Sequence, residues 1–494
     1  MTDYPFQKIL VANRGEIACR VIRAVHAMGL TAVAVHHAIE ANARHVREAD
    51  EAVVLTGDTP VAAHLDIDQL IAAAQATGAQ AVHPGYGFLS ENPAFARAVD
   101  QAGLVFIGPD EATIRLMGDK ISSRNFAAEK GVPVAPSVLP TDNVDAFVAE
   151  VEKIGFPVLI KASAGGGGKG MNIVREAGEL RDAAKIAASE AERYFGDGRV
   201  YAELYVERPR HIEVQVLGDG TGEVIHLFER ECSIQRRFQK IIEEAPSSNL
   251  SPEKADEICN AAVRLAQAAK YRNAGTVEFI LGEDGRFFFL EMNTRLQVEH
   301  PVTEDITGID LVKAQIDISA GRGLPCRQAE MSKTGHSIEC RICAENAERN
   351  FMPETGRIDF LNIPRAPWLR FEHGLDQGRA VTSDFDPMLA KLVAHGPTRE
   401  EAIDRAIAAL EDLAILGVTT NIDYLIRVLE SAAFRGAALH TGFIEEHAES
   451  LAPPPLAASE KDRLLVAAAL GFREFRQMVF DVPELQASIG YWRN

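Results

Sequence analysis

Cysteine, basic residues, long apolar runs and several familiar motifs are all in short supply in this chain of 494 residues, and each shortage closes off a class of protein. Six cysteines do not make a disulfide framework at this length, and the one C-x-x-C, Cys340 and Cys343, has no second pair at zinc spacing, so reduced thiols in a cytoplasmic-type compartment are expected. Lysine and arginine number 51 against 71 acidic residues. The net charge of −20 argues against a nucleic-acid or anionic-membrane surface, although a local basic pocket for a small anion such as a nucleotide phosphate stays open. No stretch approaches the roughly 18 consecutive apolar residues of a membrane span. The start, MTDYPFQKILVANRGEIA, has no basic segment ahead of an apolar one, so no secretory signal is expected, and a strand follows too soon for a transit peptide.

The missing motifs are equally informative. The first strand–helix turn, Asn13-Arg14-Gly15-Glu16, is not G-x-G-x-x-G, which leaves a dinucleotide site poorly supported. The glycine run KASAGGGGKGM, Lys161 to Met171, is not a P-loop, because Gly170 follows Lys169 where Ser or Thr is required. H-E-x-x-H is absent, so His300 reads as a capping or structural histidine rather than a zinc ligand.

What remains is a soluble-type composition, 47% hydrophobic and 25% charged, long enough for two to four domains. The first hundred residues alternate strands (KILVA, TAVAVHH, AQAVHPG, LVFIG) with helices ending at Gly29, over Ile67 to Thr77 and over Asn92 to Ala102, which is the pattern of a parallel sheet covered on its faces. From Gly131 to about Val206 a smaller unit is predicted. From His211 to Arg295 strands dominate, with one helix over Ser251 to Ala269. A mixed region follows, with helices at Arg399 to Leu413 and Asn421 to Glu430, and the three prolines 453–455 precede a separate terminal helix.

Three stretches carry chemistry. Four consecutive glycines, Gly165 to Gly168, between Lys161 and Lys169 suit a mobile lid over a phosphate, since glycine lets successive N–H groups wrap an anion; a plain surface loop is the competing reading. HPGYGFLSEN puts Tyr86 and Glu91 beside a turn at the carboxyl edge of a parallel strand, where ligands collect. In VEFILGEDGRFFFLEMN an even loop centred on Asp284-Gly285 places Glu278 directly opposite Glu291, with Asn293 on the same face; an odd loop would separate them. Like charges in opposition need something positive between them, and two carboxylates with an amide oxygen suit Mg²⁺ shared with a phosphate. If the alternation continues to Glu299, then Arg295 and Gln297 aim the same way, Arg295 to fork onto an oxyanion and Glu299 to act as a general base. The run ERECSIQRRFQKIIEEAP reads as a solvated charge face.

Together ILVANRGEIA, HPGYGFLSEN, MGDK, KASAGGGGKGM, PRHIEVQVLGD, ERECSIQRRFQK, EMNTRLQVEHPVTE and ECRICAEN resemble, in order and over about residues 6–448, the biotin carboxylases of the ATP-grasp superfamily. The resemblance implies an α/β ATP-grasp architecture: an N-terminal Rossmann-like parallel-sheet domain at 1–116, an ATP-grasp domain at 117–320 with a small lid about 133–206, and a mixed α+β C-terminal domain at 321–448, followed by an extension at 449–494. It implies ATP, bicarbonate and biotin as reactants, carboxyphosphate as intermediate, and Mg²⁺ or Mn²⁺. Carried over residue by residue, Lys120, Lys161, Gly165, Gly166, Gly167, Gly168, Glu203, Val206, His211 and Gln235 hold ATP, and Glu278, Glu291 and Asn293 hold the ions. Arg295, Gln297, Val298 and Lys240 hold bicarbonate beside Tyr86, Glu299 deprotonates it, and Arg341 steadies the enolate-like oxygen of biotin.

Two positions depart from the family pattern: Phe238 stands where histidine is common, replacing an imidazole by an apolar ring, and Leu204 where lysine is common. No M-K-M biotin-acceptor sequence occurs, so the biotin is expected on a carrier domain or protein outside this chain, with a carboxyltransferase subunit as further partner in a larger complex and neither nucleic acid nor membrane involved. The tail ELQASIGYWRN resembles the connection that follows this region in acyl-CoA carboxylase α subunits. A carboxylate-amine ligase on the same fold and a nucleotide-binding subunit without catalysis are the alternatives.

Overall fold

The computed structural model describes residues 4–138, 144–162, 172–195, 200–237, 239–454, 459 and 461–468. Gly165 to Gly168 and Phe238 lie outside the described residues. Lys8–Val11 (β1), Thr31–His37 (β2), Glu51–Leu55 (β3), Ala81–His83 (β4) and Val105–Phe106 (β5) form a parallel sheet of order β3-β2-β1-β4-β5. Successive residues of β1 serve opposite faces, because side chains alternate along a strand. Ile9 and Val11 pack with Ile17, Val21 and Val25 of helix Gly15–Ala27, while Leu10 packs with Leu70, Ala73 and Phe95 of helices Ile67–Thr77 and Pro93–Gln101. Burial on both faces explains why these strands are nearly free of polar residues. The turn after β4 depends on Gly85. It sits at φ +64°, and a Cβ there would come 2.8 Å from Nδ2 of Asn13, the amide that donates to the Pro84 and Tyr86 carbonyls.

The small unit is a four-stranded sheet of order β6-β9-β7-β8, made by Ser137–Val138 (β6), Val158–Ala162 (β7), Asn172–Val174 (β8) and Val200–Leu204 (β9). Helices Val144–Ile154 and Ala177–Phe195 cover it, and Phe147, Val151, Val158, Ile160, Leu180 and Ala202 form a core of its own.

The largest sheet has eight antiparallel strands in the order β14-β13-β10-β11-β12-β15-β22-β20. Its members are Arg210–Asp219 (β10), Val224–Arg236 (β11), Gln239–Ala245 (β12), Arg272–Leu281 (β13), Phe287–Asn293 (β14), His336–Cys343 (β15), Leu369–His373 (β20) and Met388–Gly396 (β22). Because β12 pairs with β15, the segments on either side of residue 321 share one sheet. Two-residue and three-residue strands complete the region: Glu345–Asn346 (β16) with Met352–Pro353 (β17), Gly356–Arg357 (β18) with Ala380–Val381 (β21), and Phe360–Asn362 (β19) with Ala414–Leu416 (β23). One face is apolar: Ile212, Val214, Val277 and Phe279 pack on helix Pro252–Ala268, and Ile338, Cys340, Ile342, Leu392 and Ala394 pack on helix Arg399–Asp412. The residues between them, Glu213, Gln215, Glu278, Glu339, Arg341 and Lys391, point to the other face by the two-residue period. On that face lies helix His300–Thr307, whose Val302 and Ile306 meet Ala245 and Val393.

The four strands expected in the N-terminal sheet are β1, β2, β4 and β5, while the edge strand β3 was not expected, and elsewhere the elements depart from the sequence pattern in three places. The charge-rich run 229–246 is not a solvated face: it forms most of the β11–β12 hairpin, with Glu229, Arg230, Glu231, Glu243 and Glu244 all buried. Alternation past Glu291 stops at Asn293, where β14 ends. The loop of the β13–β14 hairpin is odd, residues 283–285. Cys340 and Cys343, three apart on one strand, face opposite sides and form no metal pair; all six cysteines are free. Among the described residues no helix is long and apolar enough to cross a membrane.

Candidate active site

Across the polar face of the large sheet the charged residues line up in register. Glu291, Glu278, Glu213 and Arg230 stand opposite one another along β14, β13, β10 and β11. Arg341, Lys391 and Glu372 do the same along β15, β22 and β20. Directly opposed carboxylates repel, so the row holds only with cations set into it. Arg230, fully buried, donates to Glu213, Gln215, Thr276 and Thr303. Lys240 of β12 reaches three carboxylates with one ammonium: 2.7 Å to Glu213, 3.0 Å to Glu278 and 2.7 Å to Glu299. Burial alone would lower its pKa, but those three carboxylates hold it well above the usual lysine range.

Glu299 arrives by a route other than strand alternation. After β14 the chain leaves the sheet, and Glu299 becomes the N-terminal flanking residue of helix His300–Thr307. The segment between is held by side chains. Glu91 accepts from the Thr294 amide at 3.0 Å and from Arg295 Nε at 2.8 Å, and His300 Nδ1 lies 2.7 Å from the Gln297 carbonyl, the structural role expected of that histidine. Glu299 is fully buried, with Lys240 on one oxygen and Arg341 at 3.0 Å on the other. Burial pushes its pKa up, yet Lys240, Arg341 and Arg230 together take it well below the ordinary carboxylate range. Arg341 also pairs with Glu243, whose carboxyl is raised by burial to about 7 against the pull of that arginine.

The β13–β14 hairpin does set Glu278 opposite Glu291, though not through an even loop. Gly282 bonds Arg286, which leaves a three-residue loop with Gly285 at φ +80°. Alone this register would pair Glu278 with Leu290. A β-bulge between Glu278 and Phe279 shifts the ladder by one residue at Leu290, so that Glu291 faces Glu278 and Asn293 faces Thr276. Burial and the facing Glu278 raise the pKa of Glu291, and Lys120 opposes them, which places that exposed lysine within electrostatic reach. Glu278 itself accepts from Lys240, Asn293 at 2.9 Å and Gln297 at 3.2 Å, and His211 Nε2 lies 2.9 Å away. Two other groups of ligand atoms lie within 4.8 Å of one another, His211–Glu213–Glu278 and Glu213–Cys232–Glu299. Lys240 already bridges the carboxylates of both, whereas burial and the facing Glu278 raise Glu291, so a divalent ion fits best at Glu291 with Glu278 opposite it.

The remaining expected residues fall around this centre. Arg295 forks to Gln297 and Asn293 oxygens at 3.0 and 3.1 Å, and the Val298 carbonyl accepts from Lys391 at 2.7 Å. Gln235 Nε2 lies 2.8 Å from His211 Nδ1, joining those two residues to Glu278. Lys161 pairs through its backbone with Tyr201 in the small sheet, Glu203 pairs with Ser137, and Val206 follows β9; the side chain of Lys161 lies outside the description. Tyr86 lines a cavity of about 360 Å³ with Glu16, Asp386 and Met388, and its hydroxyl is buried without a hydrogen bond. Four residues escaped the sequence reading: Glu213, Arg230, Glu243 and Lys391. Glu213 carried a signal, as a lone acid in the strand HIEVQV paired with the strand of Glu278, whereas the others were hidden by long-range pairing.

Comparison with known proteins adds three family matches in chain order. Residues 5–114 match the biotin carboxylase N-terminal domain, 119–327 the carbamoyl-phosphate synthase L chain ATP-binding domain, and 339–446 the biotin carboxylase C-terminal domain. The chain is 47% identical over 446 residues to the 2-oxoglutarate carboxylase small subunit of Hydrogenobacter thermophilus, covering 90% of this chain and 94% of that one. It is 45% identical over 475 residues to the mitochondrial methylcrotonoyl-CoA carboxylase subunit alpha of Dictyostelium discoideum, 96% of this chain and 68% of that one. It spans 62% of the mouse subunit of the same name. A crystal structure of the Hydrogenobacter thermophilus 2-oxoglutarate carboxylase biotin carboxylase domain dimer, in complex with MgADP, ADP and bicarbonate, superposes with a TM-score of 0.84 at 46% identity, covering 91% of this chain and 99% of that one.

Proposed function

This chain belongs to the biotin carboxylase family, an ATP-grasp ligase family, and from that premise we propose how its residues divide the work of carboxylating biotin with ATP and bicarbonate. The observation that carries the scheme is the cation pair on Glu299: Lys240 on one oxygen and Arg341 on the other. A small oxyanion entering between them gives both cations a new partner. Arg295, with Gln297 and the Val298 backbone beside it, supplies the planar fork that a bicarbonate fits. As the cations turn to the anion, Glu299 loses what keeps its pKa low and becomes basic enough to take the bicarbonate proton. The resulting dianion attacks the γ-phosphorus of ATP, the bond to ADP breaks, and carboxyphosphate forms. Its carboxyl group passes to the ureido nitrogen of biotin as the bond to phosphate breaks, the departing phosphate takes the N–H proton, and Arg341 faces the developing oxyanion of the biotin ring.

Glu278, Glu291 and Asn293 hold the divalent ion, which when bound neutralises the phosphate oxygens during transfer. Mg²⁺ suits this all-oxygen set, and Mn²⁺ is expected to substitute. His211 and Gln235 line the nucleotide side of the centre, Lys120 and Lys161 meet the phosphates, Glu203 to Val206 the adenine, and Gly165 to Gly168 the phosphate tail. Biotin arrives on a carrier domain past Tyr86, and a carboxyltransferase partner chooses the final acceptor. The free cysteines suit a reducing compartment such as the cytoplasm. The test is ADP release from purified protein: hydrolysis of ATP is expected to require Mg²⁺, bicarbonate and free biotin together, and hydrolysis indifferent to bicarbonate and biotin would reject the assignment.

A further inference from the structure

Lys391 has no part in the scheme above, yet its ammonium binds the Val298 carbonyl and its register sets it opposite Arg341. It is fully buried in β22, directly opposite Arg341 on one side and Glu372 on the other. Its ammonium donates to the Val298 carbonyl at 2.7 Å, lies 3.4 Å from Oε1 of Glu16 in the first turn of helix Gly15–Ala27, and stands 5.8 Å from the centre of the Tyr86 ring. Glu16 is a buried carboxylate whose contact with Lys391 is the longer one, so the closest acceptor of the ammonium is the peptide leading into Glu299. Burial raises the Glu16 carboxyl to about 7, against the pull of Lys391.

That peptide needs a tether. β14 ends at Asn293, and no ladder holds residues 294–299; Thr294 is fixed by Glu91 at one end, and Val298 by Lys391 at the other. The Val298 carbonyl and the Glu299 N–H share one rigid plane, so fixing the carbonyl fixes the N–Cα bond of Glu299, and the helix that starts at His300 sets the rotation about that bond. We propose that Lys391 is a positioning residue for the bicarbonate step, holding the Val298–Glu299 peptide so that Glu299 meets Lys240 and Arg341. The inference rests on the assignment of Val298 and Glu299 to bicarbonate. Misplacing a reacting group by about 1 Å can cost on the order of a hundredfold in rate.

A purely structural role, as counter-ion to Glu16, makes a different demand, and a double variant separates the two. Lys391→Met strands the Glu16 carboxylate and takes away a cation that also faces the buried Glu339 and Glu372, and is expected to lower the melting temperature; adding Glu16→Gln is expected to restore it in part. Kinetics of ATP hydrolysis with bicarbonate and free biotin are then measured on the parent, on Glu16→Gln and on Lys391→Met/Glu16→Gln. Glu16→Gln is expected to match the parent, while the double variant loses roughly tenfold to a hundredfold in kcat/KM for bicarbonate, with MgADP affinity within about twofold of the parent. A double variant with parental kcat/KM for bicarbonate would overturn the role of Lys391 and leave the functional assignment standing. A parent that hydrolyses no ATP in response to bicarbonate and biotin would overturn that assignment and this inference with it.

Discussion

The parallel sheet at the N-terminus and the eight-stranded antiparallel sheet position chemistry in opposite ways. In the first, strands β1, β2 and β4 are buried on both faces by apolar side chains, and the residues offered to the site lie in the turns after β4, at Tyr86 and Glu91. In the second, one face is apolar and the other carries Glu213, Glu278, Arg230, Lys240 and Arg341 mid-strand. An apolar sheet tolerates a small change at any one position with a local loss. A charged face is coupled, because each carboxylate is tolerated only through a cation that also serves its neighbours.

The contrast makes graded predictions. Lys240→Met leaves Glu213, Glu278 and Glu299 without their shared counter-ion; it is expected to cost about 3–5 kcal/mol in denaturant unfolding and to abolish bicarbonate-dependent ATP hydrolysis. Glu16→Gln probes a buried carboxylate at the junction of the two regions. Its folded pKa, about 7, is above the unfolded value, so the folded parent binds more protons and loses stability as pH rises from about 4.5 through 7. The melting temperature of Glu16→Gln relative to the parent is therefore expected to climb across that window and level off above it. A flat difference would mean that Glu16 keeps an ordinary pKa. Ile9→Val in β1 is expected to cost only about 0.5–1.5 kcal/mol and to leave kcat and KM unchanged. Altered kinetics there would show that the apolar sheet is coupled to the site as tightly as the charged one.

The same contrast explains what the sequence could show. TAVAVHH and KILVA advertise their strands, because apolar runs bounded by turns have few other readings. The stretch ERECSIQRRFQKIIEEAP does not: its charges are solvated by one another across the sheet, through partners such as Arg210, Lys333 and His336 that are distant in sequence. Glu278 and Glu291 were correctly placed face to face, but the cause was the bulge at Leu290 rather than the loop, and bulges leave little mark in a sequence. Glu299 lies in the charged cluster but not on a continuing strand; its position depends on Glu91, Lys391 and the helix that follows. Lys391 sits in MLAKLVAHG as one charge in an apolar run, and only the register with Arg341 shows what it touches.

The central claim is that Glu299, released by Lys240 and Arg341 when an oxyanion enters, is the base that activates bicarbonate. Glu299→Gln keeps the shape of the side chain and one of its two acceptor oxygens and removes its charge and basicity, so ADP release with MgATP, bicarbonate and free biotin tests that claim most directly. A loss of roughly a hundredfold or more is expected, with MgADP binding retained. Hydrolysis at the parental rate by Glu299→Gln would contradict it.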